Sequence, residues 1–131
     1  MKVNIKKEDF QLVSYDDINY SYYTTLKNNI DIIIEIDYFN ENGIKYAEFI
    51  LNQYLQNKDN VIEHVLQERL LKFYKERYSE EYIKNNLNNP QIRVLDYDFA
   101  TITWLNHNLD EHIIELEIDK NFILGSVILS G

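Results

Sequence analysis

The chain contains no cysteine, so disulfides and thiol chemistry are excluded. Its three glycines, Gly43, Gly125 and Gly131, stand apart and cannot build a loop that cradles a phosphate. A single proline, Pro90, closes one Asn-rich turn. No apolar run approaches the ~18 residues that a membrane helix needs. Basic residues are scarce: 13 Lys plus Arg stand against 22 Asp plus Glu, a formal charge of -9. A field of that sign disfavours nucleic acid and anionic membranes and favours a basic partner. Solubility alone also accounts for it. Lys2, Lys6 and Lys7 have no apolar run behind them, so no signal peptide is expected and a cytoplasmic location follows.

What is present is a chain of 131 residues, 45% of them hydrophobic, which suits one α+β domain over residues 1–131. Ile30, Ile32, Ile34 and Ile36 recur with period two, placing them on one face of a strand over Ile30–Asp37. Asp31, Glu35 and Asp37 fall on the other face, with Ile33 among them. A slip of one residue would bury the acids, so the register is strongly specified. Ile34→Asp should therefore unfold the chain, and Ile33→Asp should be far milder. Asn28-Asn29 suits a two-residue turn, predicting an antiparallel hairpin between Tyr20–Lys27 and this strand. Phe10–Tyr15 reads as a further short strand.

Helical spacing follows. Asn40 caps a helix with Ile44, Ala47, Ile50, Leu51, Tyr54 and Leu55 in its stripe. Asp59 caps a longer one to about Tyr78, with Ile62, Val65, Leu66, Leu70, Phe73 and Tyr74. Ser79 caps a third, short helix. Beyond Pro90 the period returns to two, over Gln91–Tyr97, Phe99–Leu105, His112–Ile118 and Phe122–Leu129. Trp104 alternates with Ile102 and Ala100, which marks a sheet face and suits the core better than a ligand platform, but parity over Gln91–Leu105 is ambiguous and leaves Leu95, Tyr97, Phe99 and Trp104 without an assigned face. The expected fold is α+β in two layers. An antiparallel sheet of about five to six strands packs one face on two or three helices, which are inserted between an N-terminal hairpin and a C-terminal meander. The inward set is Ile30, Ile32, Ile34, Ile36, Ile114, Leu116 and Ile118, with Ile62, Leu66, Leu70 and Phe73. The other face carries Asp31, Glu35, Asp37, Glu115, Glu117 and Asp119.

Chemistry-bearing clusters are sparse. His107, Asp110, Glu111 and His112 lie within six residues and are of metal-ligating or acid–base type. The spacing is a weak match to any metal template and no third or fourth ligand is visible elsewhere, so a polar loop leading into a strand is the preferred reading. His112 shares parity with Ile114 and is placed at the core edge, bonded to a backbone carbonyl. His64 is paired with Glu68, one helical turn on. No serine has a glycine elbow around it. Neither a metal nor any other cofactor is expected, and no catalytic residue is assigned.

The segment from Asp110 to Gly131 combines an acid–His pair (Glu111-His112), an alternating strand, an Asp-led turn (Asp119-Lys120-Asn121) and a last strand near Gly131. In this it resembles a group of small bacterial proteins of unknown function, whose plan also has an N-terminal hairpin and a helical middle. Such proteins often sit beside toxin genes, so the resemblance implies an immunity role. The expected function is non-catalytic neutralisation of a basic toxin through Asp31, Glu35, Asp37, Glu115 and Glu117. The alternatives are a housekeeping adaptor or homodimer joined through sheet edges or the aromatic first hairpin and, third, a metal enzyme built on His107 and His112.

Overall fold

A computed structural model describes residues 2–131. Seven strands form one sheet in chain order: β1 (Gln11–Tyr15), β2 (Tyr20–Lys27), β3 (Ile30–Glu35), β4 (Gln91–Val94), β5 (Phe99–Trp104), β6 (Ile113–Asp119) and β7 (Leu124–Ser130). The expected five to six strands become seven because Gln11–Tyr15 pairs fully with β2, and Leu95–Asp98 is long enough to turn β4 back into β5. All pairs are antiparallel except β3–β4, which is parallel. A parallel pair needs a crossover of a dozen or more residues, and the helices between Glu35 and Gln91 supply it.

The β2–β3 hairpin turns on Asn28 and Asn29, both left-handed at φ 52° and 62°, a conformation that Asn tolerates better than most residues. Helix α1 (Glu41–Gln56) starts where the Asn40 side chain accepts the Gly43 N–H at 3.1 Å. Helix α2 begins at Lys58, one residue before the expected cap at Asp59, and runs on through a π turn (Leu66–Leu70) into α3 (Leu71–Phe73). Ser79 caps α4 (Glu80–Asn85) by accepting the Tyr82 N–H.

The helices cover one face of the sheet. Ile30, Ile32, Ile34, Ile92, Val94, Ala100, Ile102, Trp104, Ile114, Leu116 and Ile118 pack there against Ile50, Leu51, Val61, Leu66, Leu70 and Tyr74. Burial of one such aliphatic side chain contributes roughly 1.5–3 kcal/mol, which is why the period-two pattern dictates the register.

Two inward expectations and one outward expectation fail for local reasons. Ile36 is 51% exposed because the strand stops at Glu35 and a 3-10 turn (Ile36–Tyr38) carries the next residues off the sheet. Phe73 is 40% exposed, whereas Tyr74 beside it is fully buried. The wider π turn rotates the helix beyond it, so the α-helical phase no longer applies. Ile33, expected among exposed acids, is also buried, although no backbone layer covers its face. Its tolerance of Asp does not follow from exposure.

Candidate functional site

The uncovered face of the sheet carries the expected acids. Pairing defines two rows across it. One runs Thr24, Ile33, Arg93, Thr101, Glu117, and the other Leu26, Asp31, Gln91, Thr103, Glu115. Asp31 and Glu35 therefore stand on β3, and Glu115 and Glu117 on β6. Two strands lie between β3 and β6, and at a strand spacing of ~4.8 Å the two acid pairs are about 14 Å apart. Asp119 sits at the far end of β6, opposite Phe99. Asp37 does not share this face, because it lies in the 3-10 turn after β3.

Between the two acid pairs lies a residue that the sequence reading passed over. Arg93 alternates with Ile92 and Val94 on β4, so the inward pair sends it to the uncovered side. It takes part in no ion pair among the described residues. Its Nε is buried without a hydrogen-bond partner, and so is the Oγ1 of Thr101 directly opposite it on β5. Thr101 is 2% exposed and Thr103 5%. Each buried donor left unsatisfied costs about 1–3 kcal/mol. At the β2 end of this face Tyr20 donates to Glu35 at 2.7 Å, and Tyr15 and Tyr22 meet hydroxyl to hydroxyl at 3.3 Å. Burial, then the Glu35 hydrogen bond, push the Tyr20 phenol up to about 12, against the opposing charge of Arg93.

The histidine loop is organised differently from expectation. His107, not His112, is the histidine bonded to a backbone carbonyl: its Nε2 meets the His112 carbonyl at 2.6 Å. Its Nδ1 accepts the Leu109 N–H at 3.2 Å, so both ring nitrogens are engaged within the loop and Nε2 is the one that carries the proton. His112 instead meets the Asp110 carboxylate at 2.9 Å through Nδ1. Asp110 also accepts from Tyr74 at 2.8 Å and from the His112 backbone at 3.0 Å, and lies 3.7 Å from Arg77. Burial pushes its carboxyl up, but the His112 and Tyr74 hydrogen bonds outweigh that and hold it below the ordinary range. Tyr78 reaches the Leu109 carbonyl, so two tyrosines of the turn that follows α3 tie this loop down. No group of three or more His, Asp or Glu comes together to hold a metal among the described residues. His64 does not pair with Glu68; its Nε2 meets the carbonyl of Gly125 on β7 at 2.8 Å.

No helix among the described residues is long and apolar enough to cross a membrane. Comparisons with protein-family models, with curated proteins and with solved structures return no match for the chain.

Proposed function

We propose that the chain is a non-catalytic binding protein of the immunity type, which neutralises a basic bacterial toxin by occupying its cationic surface. The observation that carries this reading is the uncovered sheet face, where Asp31, Glu35, Glu115 and Glu117 flank a single arginine. Acids at the rim of such a face steer a basic partner and act mainly on the rate of encounter. The C-terminal resemblance supplies the toxin as the class of partner. The test takes the product of the reading frame next to this gene. Association rates are measured at low and moderate salt, for wild type and for the Glu115→Lys, Glu117→Lys double variant. The reading expects an on-rate that falls steeply with salt and falls again in the double variant. An on-rate indifferent to both would remove the acidic face from consideration.

A homodimer through the first hairpin is the second reading. Strand β1 is an edge strand without a charge, and Leu12 and Tyr15 are exposed on it, whereas edge strands are commonly guarded by charge or proline. Sedimentation at micromolar concentration separates the two, since a monomer argues against this second reading.

A further inference from the structure

We infer that Arg93 and Thr101 form an anchor that takes a main-chain carbonyl oxygen from a lysine- or arginine-bearing segment of the partner. The inference rests on the reading of this face as a cation-binding surface, and adds what sits at its centre. Arg93 Nε and Thr101 Oγ1 are both buried and both without a partner. The two residues are directly opposed on antiparallel strands, so their side chains start about 5 Å apart, within reach of one oxygen. A guanidinium only donates, and a hydroxyl can donate beside it, so the missing group is an acceptor.

Among the described residues two other buried polar side-chain atoms lack partners, Tyr54 Oη and Trp104 Nε1, but both residues belong to the core between sheet and helices. Arg93 and Thr101 alternate with core residues and so stand on the face opposite the helices, where an incoming surface can move side chains aside. The acceptor is a neutral carbonyl rather than a carboxylate, because Asp31 and Glu35 on one side and Glu115 and Glu117 on the other repel an anion. The acid pairs are separated by about 14 Å, the length of roughly four extended residues. A segment with cations four positions apart, crossing the strands, would set one cation on each pair and a carbonyl over Arg93. The acids would govern encounter, and the anchor would set register and residence time.

The test uses two probes on the whole chain at low salt, followed by NMR. One is the capped peptide Lys-Ala-Ala-Ala-Lys, which has cations and carbonyls; the other is spermine, which has cations and no acceptor oxygen. The peptide should shift the Arg93 Nε–H signal, and its affinity should fall three- to tenfold in Thr101→Val. Spermine affinity should be unchanged in Thr101→Val and should rise in Arg93→Met, which removes an opposing charge. Thr101→Val should unfold at the same urea concentration as wild type or a higher one, because it deletes a hydroxyl that has no partner. A lowered midpoint would mean that the hydroxyl is already satisfied within the chain, and would overturn the anchor. Peptide binding that ignores Thr101→Val would also overturn it, and would leave the acidic face standing. If neither probe binds wild type, or if binding ignores the Glu115→Lys, Glu117→Lys pair, the cation-binding reading itself fails and the anchor falls with it.

Discussion

Gly43 lies against the carbonyl of Tyr38 so closely that a β carbon built on the glycine would overlap the Tyr38 oxygen. The contact joins the first turn of α1 to the 3-10 turn that ends β3, and so fixes where the helical layer leaves the sheet. Helix propensity alone makes Gly43→Ala stabilising by about 1 kcal/mol. The overlap is with backbone, which cannot rotate away, and forced packing of this kind costs about 1–3 kcal/mol. Gly43→Ala should therefore lower the urea midpoint. A raised midpoint would show that the Tyr38 turn yields without cost.

The π turn makes a second prediction. With Tyr74 buried and Phe73 facing solvent, Leu70→Ala should cost the 2–5 kcal/mol of a core truncation. Phe73→Ala should lose only its edge contacts with Tyr74 and His112, about 0.5–1.5 kcal/mol for each aromatic pair. Chemical denaturation of the two variants compares them directly. Equal losses would mean that the α-helical phase continues through Leu66–Leu70 and that Phe73 packs inward.

The contrast between Phe73 and Ile34 marks how far the sequence could be read. Ile30, Ile32 and Ile34 alternate without interruption, and a strand has one period, so their burial was legible. So were the Asn40 and Ser79 caps, where a short polar side chain precedes a helical stripe. The phase of a helix is legible only while each turn has the same length, and nothing in Leu66-Gln67-Glu68-Arg69-Leu70 announces a wider one. Asp37 was misplaced because alternation does not say where a strand stops. The acidic face was legible in Asp31, Glu35, Glu115 and Glu117, but its centre was not. Arg93 becomes central only through the parallel β3–β4 pairing, which joins residues 60 positions apart in the chain. No local pattern carries that information.

That pairing supports a third prediction. Ile34→Asp would place an unpaired carboxylate under the helices, at a cost of several kcal/mol against a total of about 5–15. Ile33 is equally buried, but it sits beside Arg93 in the parallel register. A carboxylate at position 33 would meet a guanidinium that now has no ion pair, so Ile33→Asp should be destabilising yet still fold. A double-mutant cycle with Arg93→Met should give a coupling of about 0.5–3 kcal/mol. Coupling near zero would place the guanidinium elsewhere on the face.

The last prediction concerns acid. Asp110 accepts hydrogen bonds from Tyr74 and from the ring and backbone of His112, and so holds the loop before β6 against the helical layer. Its carboxyl is 13% exposed and titrates below the ordinary range, because those hydrogen bonds outweigh the upward push of burial. A carboxyl whose pKa is lower in the folded chain contributes stability that is fully present above the unfolded value of ~3.9. That contribution is lost as pH falls through the folded value. Asp110→Ala should cost about 1–3 kcal/mol at pH 7, the range for hydrogen bonds to a charged group and the donors they leave unpaired. As pH falls past the unfolded value of ~3.9 and on towards the lower folded value, the gap between wild type and variant should narrow, because wild type then loses the charge-dependent part that the variant never had. Urea unfolding of both proteins at pH 7, 5 and 3 measures the gap. A gap that stays constant across this range would mean that Asp110 holds the loop by shape and neutral hydrogen bonding, with its ionisation contributing nothing.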